Sequence, residues 1–221
     1  MIVSDEARAL PKWTHSSGEE IANAASAAAG FIGALVAAPV LLIAAFRNEG
    51  TAFFIGTIIF TATMSILYLS STLYHAWPQT RAKEFLRLFD HSAIYCLIAG
   101  TYTPFALGPL RETIGPTLLV AIWALALVGV AIKVVRGTSR HPKLALALYL
   151  GMGWLALFVL RPVVLALPLV TLVWLFAGGI AYTTGVLFFV NKRLRYAHLV
   201  WHLFVLAGTG CHFAAVLSCA T

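Results

Sequence analysis

Residues 113–135 have the sequence TIGPTLLVAIWALALVGVAIKVV, in which Lys133, near the end, is the one charged side chain. A helix needs about 20 mostly apolar residues to cross the hydrocarbon core of a bilayer, and this stretch has that length. Its apolar residues are continuous and do not alternate with polar ones as they would in a β-barrel strand. The stretch is therefore predicted to be a transmembrane helix.

Six more apolar stretches surround this one, and charged residues, Pro or Gly mark every break between them. The composition agrees, because 61% of the residues are hydrophobic and 10% are charged, against about 25% charged in soluble domains. We predict an all-α integral membrane protein with a seven-helix transmembrane bundle over residues 21–221. Residues 1–20, which lack the apolar core of a signal peptide, are predicted to form a short cytoplasmic arm. The predicted spans are 21–46, 51–75, 87–108, 113–135, 143–160, 164–190 and 196–218.

The basic residues predict the orientation. With the N-terminus in the cytoplasm, twelve of the 15 lysines and arginines fall in cytoplasmic segments, and Arg47, Arg111 and Arg161 fall outside. Cytoplasmic loops of membrane proteins carry such an excess, so Thr221 is predicted to lie outside. A six-span alternative without the fifth span would break this alternation. The cytoplasmic residues are Arg8, Lys12, Arg81, Lys83, Arg87, Lys133, Arg136, Arg140, Lys143, Lys192, Arg193 and Arg195.

The net charge of +7 does not predict a nucleic-acid partner, because the basic residues form short clusters between apolar stretches. That placement indicates contact with anionic lipid headgroups. The three cysteines lie in or near apolar spans without paired spacing, which favours packing over a disulfide or a metal site. Membrane lipids are therefore the expected partners.

Ionisable residues inside a membrane are costly and are candidates for function. In the predicted topology His75 ends the second span at the cytoplasmic side, and Asp90 opens the third span there. His198 and His202 open the seventh span at the same side, four residues apart and hence on one helix face. Ser71 has the same spacing from His75. These five residues are predicted to form one layer near the cytoplasmic face.

Three neutral imidazoles with one open position are typical of a catalytic zinc centre, in which the ion acidifies a bound water. We predict that His75, His198 and His202 bind Zn²⁺. Asp90 is the predicted general base, and Ser71 is predicted to hold the water or an oxyanion. An alternative is that these side chains only join helices through hydrogen bonds, which is the role assigned to His91.

His212 lies ten residues beyond His202, about 15 Å along a helix, which is too far to share the ion. It shares a face with Thr209, and similar polar stripes occur on the second and third spans. These stripes are expected to line one interior cavity leading to the site, or else to join helices. The members on the second and third spans are Thr57, Thr61, Tyr68, Ser71, His75, Asp90 and Thr101.

Three motifs carry a family resemblance: SSTLYHAWP at 70–78, LRLFDHSAIYCLIAGTYTPFAL at 86–107 and HLVWHLFVLAGTGCHF at 198–213. They resemble haemolysin III, the bacterial branch of the progestin and adipoQ receptor (PAQR) family, whose superfamily includes alkaline ceramidases. The family pattern matches Ser71 with His75, Asp90, and His198 with His202. The resemblance implies a zinc ion, seven spans with the N-terminus inside, and location in the bacterial inner (cell) membrane.

Three functions are compatible with these features. The first is zinc-dependent, ceramidase-like hydrolysis of a lipid amide or ester reached from the bilayer. The second is a receptor-like regulator of membrane lipid homeostasis in which zinc is structural. The third is a pore-forming haemolysin (cytolysis), for which a continuous polar lining would be expected. The fourth, fifth and sixth spans are too apolar to supply much of such a lining.

The topology can be tested with a reporter that is active only outside the cytoplasm. Fused after Thr221 the reporter should be active, and fused within the basic loop at 136–141 it should be silent. The reverse pattern would contradict the orientation and move the predicted site to the outer face.

Overall fold

The computed structural model describes residues 16–48, 50–138, 142–191 and 193–220, which form helices joined by short turns. No strand occurs within these ranges. A 3-10 segment at Leu155–Val159 separates α5 from α6. The helices are α1 (Ser17–Asn48), α2 (Thr51–Ala76), α3 (Arg81–Leu107), α4 (Gly115–Arg136), α5 (Pro142–Gly153), α6 (Leu160–Ala166), α7 (Leu169–Val190) and α8 (Ala197–Ala220).

Six segments of the described chain are long and apolar enough to cross a bilayer: α1, α2, α4, α7, α8, and the stretch from α5 to α6. The remaining long helix, α3, has 27 residues and is more polar. Its buried residues include Asp90, Thr101 and Thr103, so its polarity faces the protein interior. The all-helical membrane fold is thus confirmed, while the count of seven spans and the sides of the termini stay predictions.

The predicted boundary between the fifth and sixth spans is wrong. We expected a break at Arg161-Pro162, but α6 continues through both residues, and the break falls at Leu167-Pro168. Proline is tolerated in the first turn of a helix because the amide hydrogens there have no intrahelical acceptor. Pro162 therefore sits near the start of α6, and Pro168 immediately precedes α7.

Two helices begin earlier than predicted. Ser16 and Glu19 form a capping box, in which the Ser16 amide donates to Glu19 Oε2 (2.8 Å) and the Glu19 amide donates to Ser16 Oγ (3.3 Å). This box starts α1 inside the predicted polar arm, whose residues 1–15 lie outside the described chain. Likewise α3 begins at Arg81, and Lys83, expected in a loop, is a buried helical residue.

The outer surface is apolar, as a lipid-embedded protein requires. Val120, Val135 and Phe158 are among the most exposed side chains. Inside, one core joins α1, α2, α3 and α8 and also includes residues of α4, α6 and α7, with Phe60 as a fully buried member. A second, smaller core around Tyr95 joins α3 to α4 and α5.

Small residues let the helices approach closely. A methyl group added at Gly56 of α2 would lie 2.7 Å from the Cα atom of Pro104 in α3. One added at Gly208 of α8 would lie 2.8 Å from the Tyr182 ring in α7. Helices in lipid associate by such close packing because no hydrophobic force acts between them.

The interruption between α5 and α6 is held by Tyr102 of α3. Its hydroxyl contacts the carbonyl oxygens of Met152 and Gly153, both at 2.9 Å, and accepts a hydrogen bond from the Ala156 amide at 3.2 Å. Backbone groups released from a helix within a membrane need such internal partners. Tyr102 thus permits a break in the α-helical hydrogen bonding inside a lipid-embedded bundle.

We expect Gly56→Ala to destabilise the protein by about 1–3 kcal/mol, because the clashing Pro104 atoms are backbone and cannot turn aside. Thermal unfolding in detergent micelles measures the effect. Gly33→Ala is the matched control, since a methyl group there meets no described atom within 4 Å. Equal unfolding temperatures for the two variants would contradict the close α2–α3 packing.

Candidate metal centre

Three histidines meet at the end of the bundle where α2 ends and α8 begins. Their ring centroids are 5.0 Å apart for His75 and His198, 5.1 Å for His75 and His202, and 4.7 Å for His198 and His202. Each offers one ligand nitrogen, and the three nitrogens lie within 4.8 Å of one another. This spacing suits three ligands that share one ion. The structure therefore brings together the three histidines that the sequence predicted.

His75 has one ring nitrogen occupied and one directed into the cluster. Its Nδ1 contacts Glu20 Oε2 at 2.7 Å, and the imidazole side chain is fully buried. Its Nε2 is also buried and has no hydrogen-bond partner among the described residues. A buried polar atom without a partner is costly. A metal ion would satisfy Nε2, so the residues present fit the predicted ion.

His202 is oriented by Ser26 of α1, whose Oγ lies 2.8 Å from His202 Nδ1. The single hydroxyl hydrogen of Ser26 is donated to the backbone oxygen of Asn23, at 2.8 Å. With its hydrogen used in this bond, Ser26 accepts the hydrogen bond from Nδ1–H of His202. That tautomer places a lone pair on Nε2, which is the form a histidine needs to bind a metal through this nitrogen.

Asp90 and Ser71 lie beside the cluster. Both are buried, at 7% and 6% exposure, and the Ser71 hydroxyl lies close enough to the Asp90 carboxylate to interact with it. Asp90 is also close enough to His75 and Arg87 to interact with them electrostatically. It lies outside the group of three mutually close ligand atoms. This arrangement is compatible with the predicted roles of a base and its support.

His212 lies apart from the cluster, as expected. Its ring is 5.4 Å from that of Tyr182, centroid to centroid, and it faces an apolar cavity of about 90 Å³ beside Trp154. A second cavity, of about 410 Å³, is lined by Glu20, His75 and Lys83 at the opposite end. These two cavities share no lining residue.

Within the described chain, the polar stripes do not line one common cavity, since the two cavities share no lining residue and each includes members of the stripes. Thr209 Oγ1 accepts from Tyr68 at 2.9 Å and lies 2.8 Å from the Tyr182 hydroxyl, so these three groups connect α2, α7 and α8. Thr57 and Thr61 instead donate to carbonyl oxygens of their own helix. Polar groups in lipid need such partners because no water reaches them. The alternative expectation, that the stripes join helices, therefore describes Tyr68 and Thr209.

Glu20, Ser26 and Lys83 contact the cluster or its immediate partner but were not among the predicted site residues. Glu20 fell in the predicted polar arm, and Lys83 fell in a predicted cytoplasmic loop. The capping-box pattern at Ser16 and Glu19 was a signal that could have placed Glu20 on α1. Its contact with His75, and that of Ser26 with His202, became visible only in the structure.

The fold and the cluster together define a class: helical membrane proteins that hold a buried group of histidines between their spans. Residues 15–213 match the model of the family described as Haemolysin-III related. The chain belongs to that family. It is a multi-pass protein of the bacterial inner membrane, in agreement with its candidate spans.

Several characterised proteins are similar over most of the chain. The Hemolysin-3 homolog of Bacillus subtilis (strain 168) is 44% identical over 200 residues, covering 90% of this chain and 93% of the relative. Hemolysin-3 of Bacillus cereus is 38% identical over 208 residues, covering 94% of each. The Monocyte to macrophage differentiation factor of Homo sapiens, a PAQR protein, is 29% identical over 160 residues, covering 68% of this chain and 64% of the relative. No solved structure matches the chain.

We expect the purified protein to hold about one zinc ion per chain, as a three-histidine site does. His75→Ala, His198→Ala and His202→Ala should each lose most of it, as measured by metal analysis after dialysis. His212→Ala is the control and should retain zinc, because His212 packs against Tyr182 instead. Similar losses in all four variants would show that the cluster is not the binding site.

Proposed function

We propose that this protein is a zinc-dependent hydrolase of a lipid amide or ester, with seven spans and its site near the cytoplasmic face. His75, His198 and His202 are its proposed metal ligands, and Asp90 is its proposed general base. The observation that carries the proposal is the meeting of three ligand nitrogens within 4.8 Å beside the buried Asp90–Ser71 pair.

Zinc, when bound, would polarise the substrate carbonyl and acidify a water molecule. In this proposal the Asp90 carboxylate accepts a proton from the water that attacks the carbonyl carbon. It can then return that proton to the departing nitrogen or oxygen as the carbonyl–heteroatom bond breaks. The interaction with Ser71 holds the carboxylate in place. The site thus has both an acid–base group and a metal-binding group.

The cavity beside His75 supports a lipid as the substrate. Its lining combines Glu20 and Lys83 with the apolar side chains of Ile21 and Trp77, which are 70% and 45% exposed. Such a mixed lining suits a molecule with a polar head and an apolar chain. A lipid entering from the bilayer would present its head at the end of the bundle where the histidines lie.

The names of the two Bacillus relatives suggest cytolysis, which would require a water-filled path. The interior polar groups Tyr68, Thr209 and Tyr182 are instead bonded to one another. That observation favours hydrolysis over a pore. The alternative, a regulator of membrane lipid homeostasis, would have the same metal site but no catalytic turnover. An activity measurement therefore distinguishes it from the hydrolase.

We expect Asp90→Asn to keep zinc and fold while losing turnover roughly a hundredfold or more, because it keeps the shape and removes the base. The measurement is product formation in defined bilayers that contain ceramide-like amides or phospholipid esters. Ser71→Ala should cost less, since Ser71 acts through Asp90.

Ser70→Ala is the matched control for Ser71→Ala. Ser70 is the adjacent buried serine, and its hydroxyl donates to the Leu67 carbonyl of the same helix at 2.9 Å. Turnover should therefore be unchanged in this variant. Product made equally well by Asp90→Asn would refute the mechanism, and no zinc-dependent product from any lipid would favour the regulatory function.

A further inference from the structure

Beyond the ligands themselves, we infer that Glu20, anchored by Lys83, is the positioning residue that sets the tautomer and orientation of His75. This inference rests on the proposed metal site, since it concerns how one proposed ligand is prepared for the ion. The sequence motifs did not include Glu20 or Lys83.

The carboxylate of Glu20 divides its two oxygens between two partners. Oε2 accepts from His75 Nδ1 at 2.7 Å, and Oε1 accepts from Lys83 Nζ at 3.2 Å. The side chains of His75, Lys83 and Glu20 are 0%, 2% and 12% exposed, respectively. The three groups therefore form one buried chain of charge-assisted hydrogen bonds, with one member each from α1, α2 and α3.

Glu20 makes His75 a better ligand by selecting one form of the ring. An ionised carboxylate can only accept hydrogen bonds, so Nδ1 of His75 must carry its hydrogen. The lone pair then lies on Nε2, the buried nitrogen that has no partner among the described residues. A carboxylate behind a histidine also increases its basicity and fixes the angle of its ring.

Lys83 explains why this carboxylate stays in place. Its ammonium also donates to the backbone oxygen of Trp77, the residue immediately after α2, at 3.1 Å. A buried ammonium is tolerated only when it is paired and hydrogen-bonded, and Lys83 has both kinds of partner here. The contact joins the start of α3 to the end of α2, and it holds the carboxylate oxygen of Glu20 that His75 does not contact.

His202 offers a comparison within the same site. Its Nδ1 is held by Ser26, a neutral hydroxyl about one and two-thirds turns further along α1. The same helix thus supports two proposed ligands, one through a charge and one without. Loss of the Glu20 charge should therefore weaken metal binding through His75, while the contact between Ser26 and His202 remains.

The test compares zinc affinity in wild type, Glu20→Gln and Glu84→Gln. Each purified full-length protein, in detergent micelles, competes for Zn²⁺ with a chromophoric chelator, and thermal unfolding of the metal-free form reports on the fold. Glu20→Gln should lower zinc affinity roughly 10–100-fold, the usual loss for such an outer partner. Glu84→Gln, an exposed change next to Lys83 in α3, should leave the affinity unchanged.

The outcomes distinguish a failure of the inference about Glu20 from a failure of the proposed metal site. Wild type that binds no zinc would overturn the metal site itself. Equal zinc affinities of wild type and Glu20→Gln would overturn the inference but leave the proposed metal site standing. The same holds if metal-free Glu20→Gln unfolds at a lower temperature while its zinc affinity is unaltered. If Glu20→Gln does not fold, zinc affinity is measured for Lys83→Met instead. This variant should lose less zinc affinity than is expected for Glu20→Gln, and no loss would overturn the inference.

Discussion

Hydrocarbon chains offer no hydrogen bonds, so every polar group within the spans has to be satisfied by another part of the protein. The consequences are visible along the chain. Tyr102 holds the backbone where α5 gives way to the 3-10 segment, and Thr209 joins two tyrosine hydroxyls between α2, α7 and α8. In most of the bundle, polar side chains form hydrogen bonds within the protein in this way.

Some buried polar atoms lack such a partner among the described residues, and the Nε2 atom of His75 is one of them. It is set apart by its two neighbouring histidines, because one ligand nitrogen from each of the three lies within 4.8 Å of the others. An unpaired buried nitrogen in such a group is a candidate for function. The neighbouring contacts from Glu20 and Ser26 fix the Nδ1 atoms of His75 and His202. The site is thus prepared for a ligand that accepts electron pairs.

The position of the cluster also fits chemistry on lipids. It lies at an end of the bundle, and the cavity that His75 lines mixes charged and apolar side chains. Asp90 stands beside the histidines but outside their ligand group, which is the relation expected of a base and a metal. α1 supplies Glu20 and Ser26, which contact His75 and His202, so this helix does more than anchor the protein in the membrane.

The sequence by itself determined the membrane class, most helix positions and the layer that contains Ser71, His75, Asp90, His198 and His202. Length, apolar continuity and the four-residue spacing are local properties, and they survive folding. Only the tertiary structure showed that α6 runs through Pro162 and that Glu20, Ser26 and Lys83 surround the histidines. Glu20 is separated from His75 by 55 positions, and Ser26 from His202 by 176. Contacts between groups so far apart in the chain depend on how helices pack, and no local pattern encodes them.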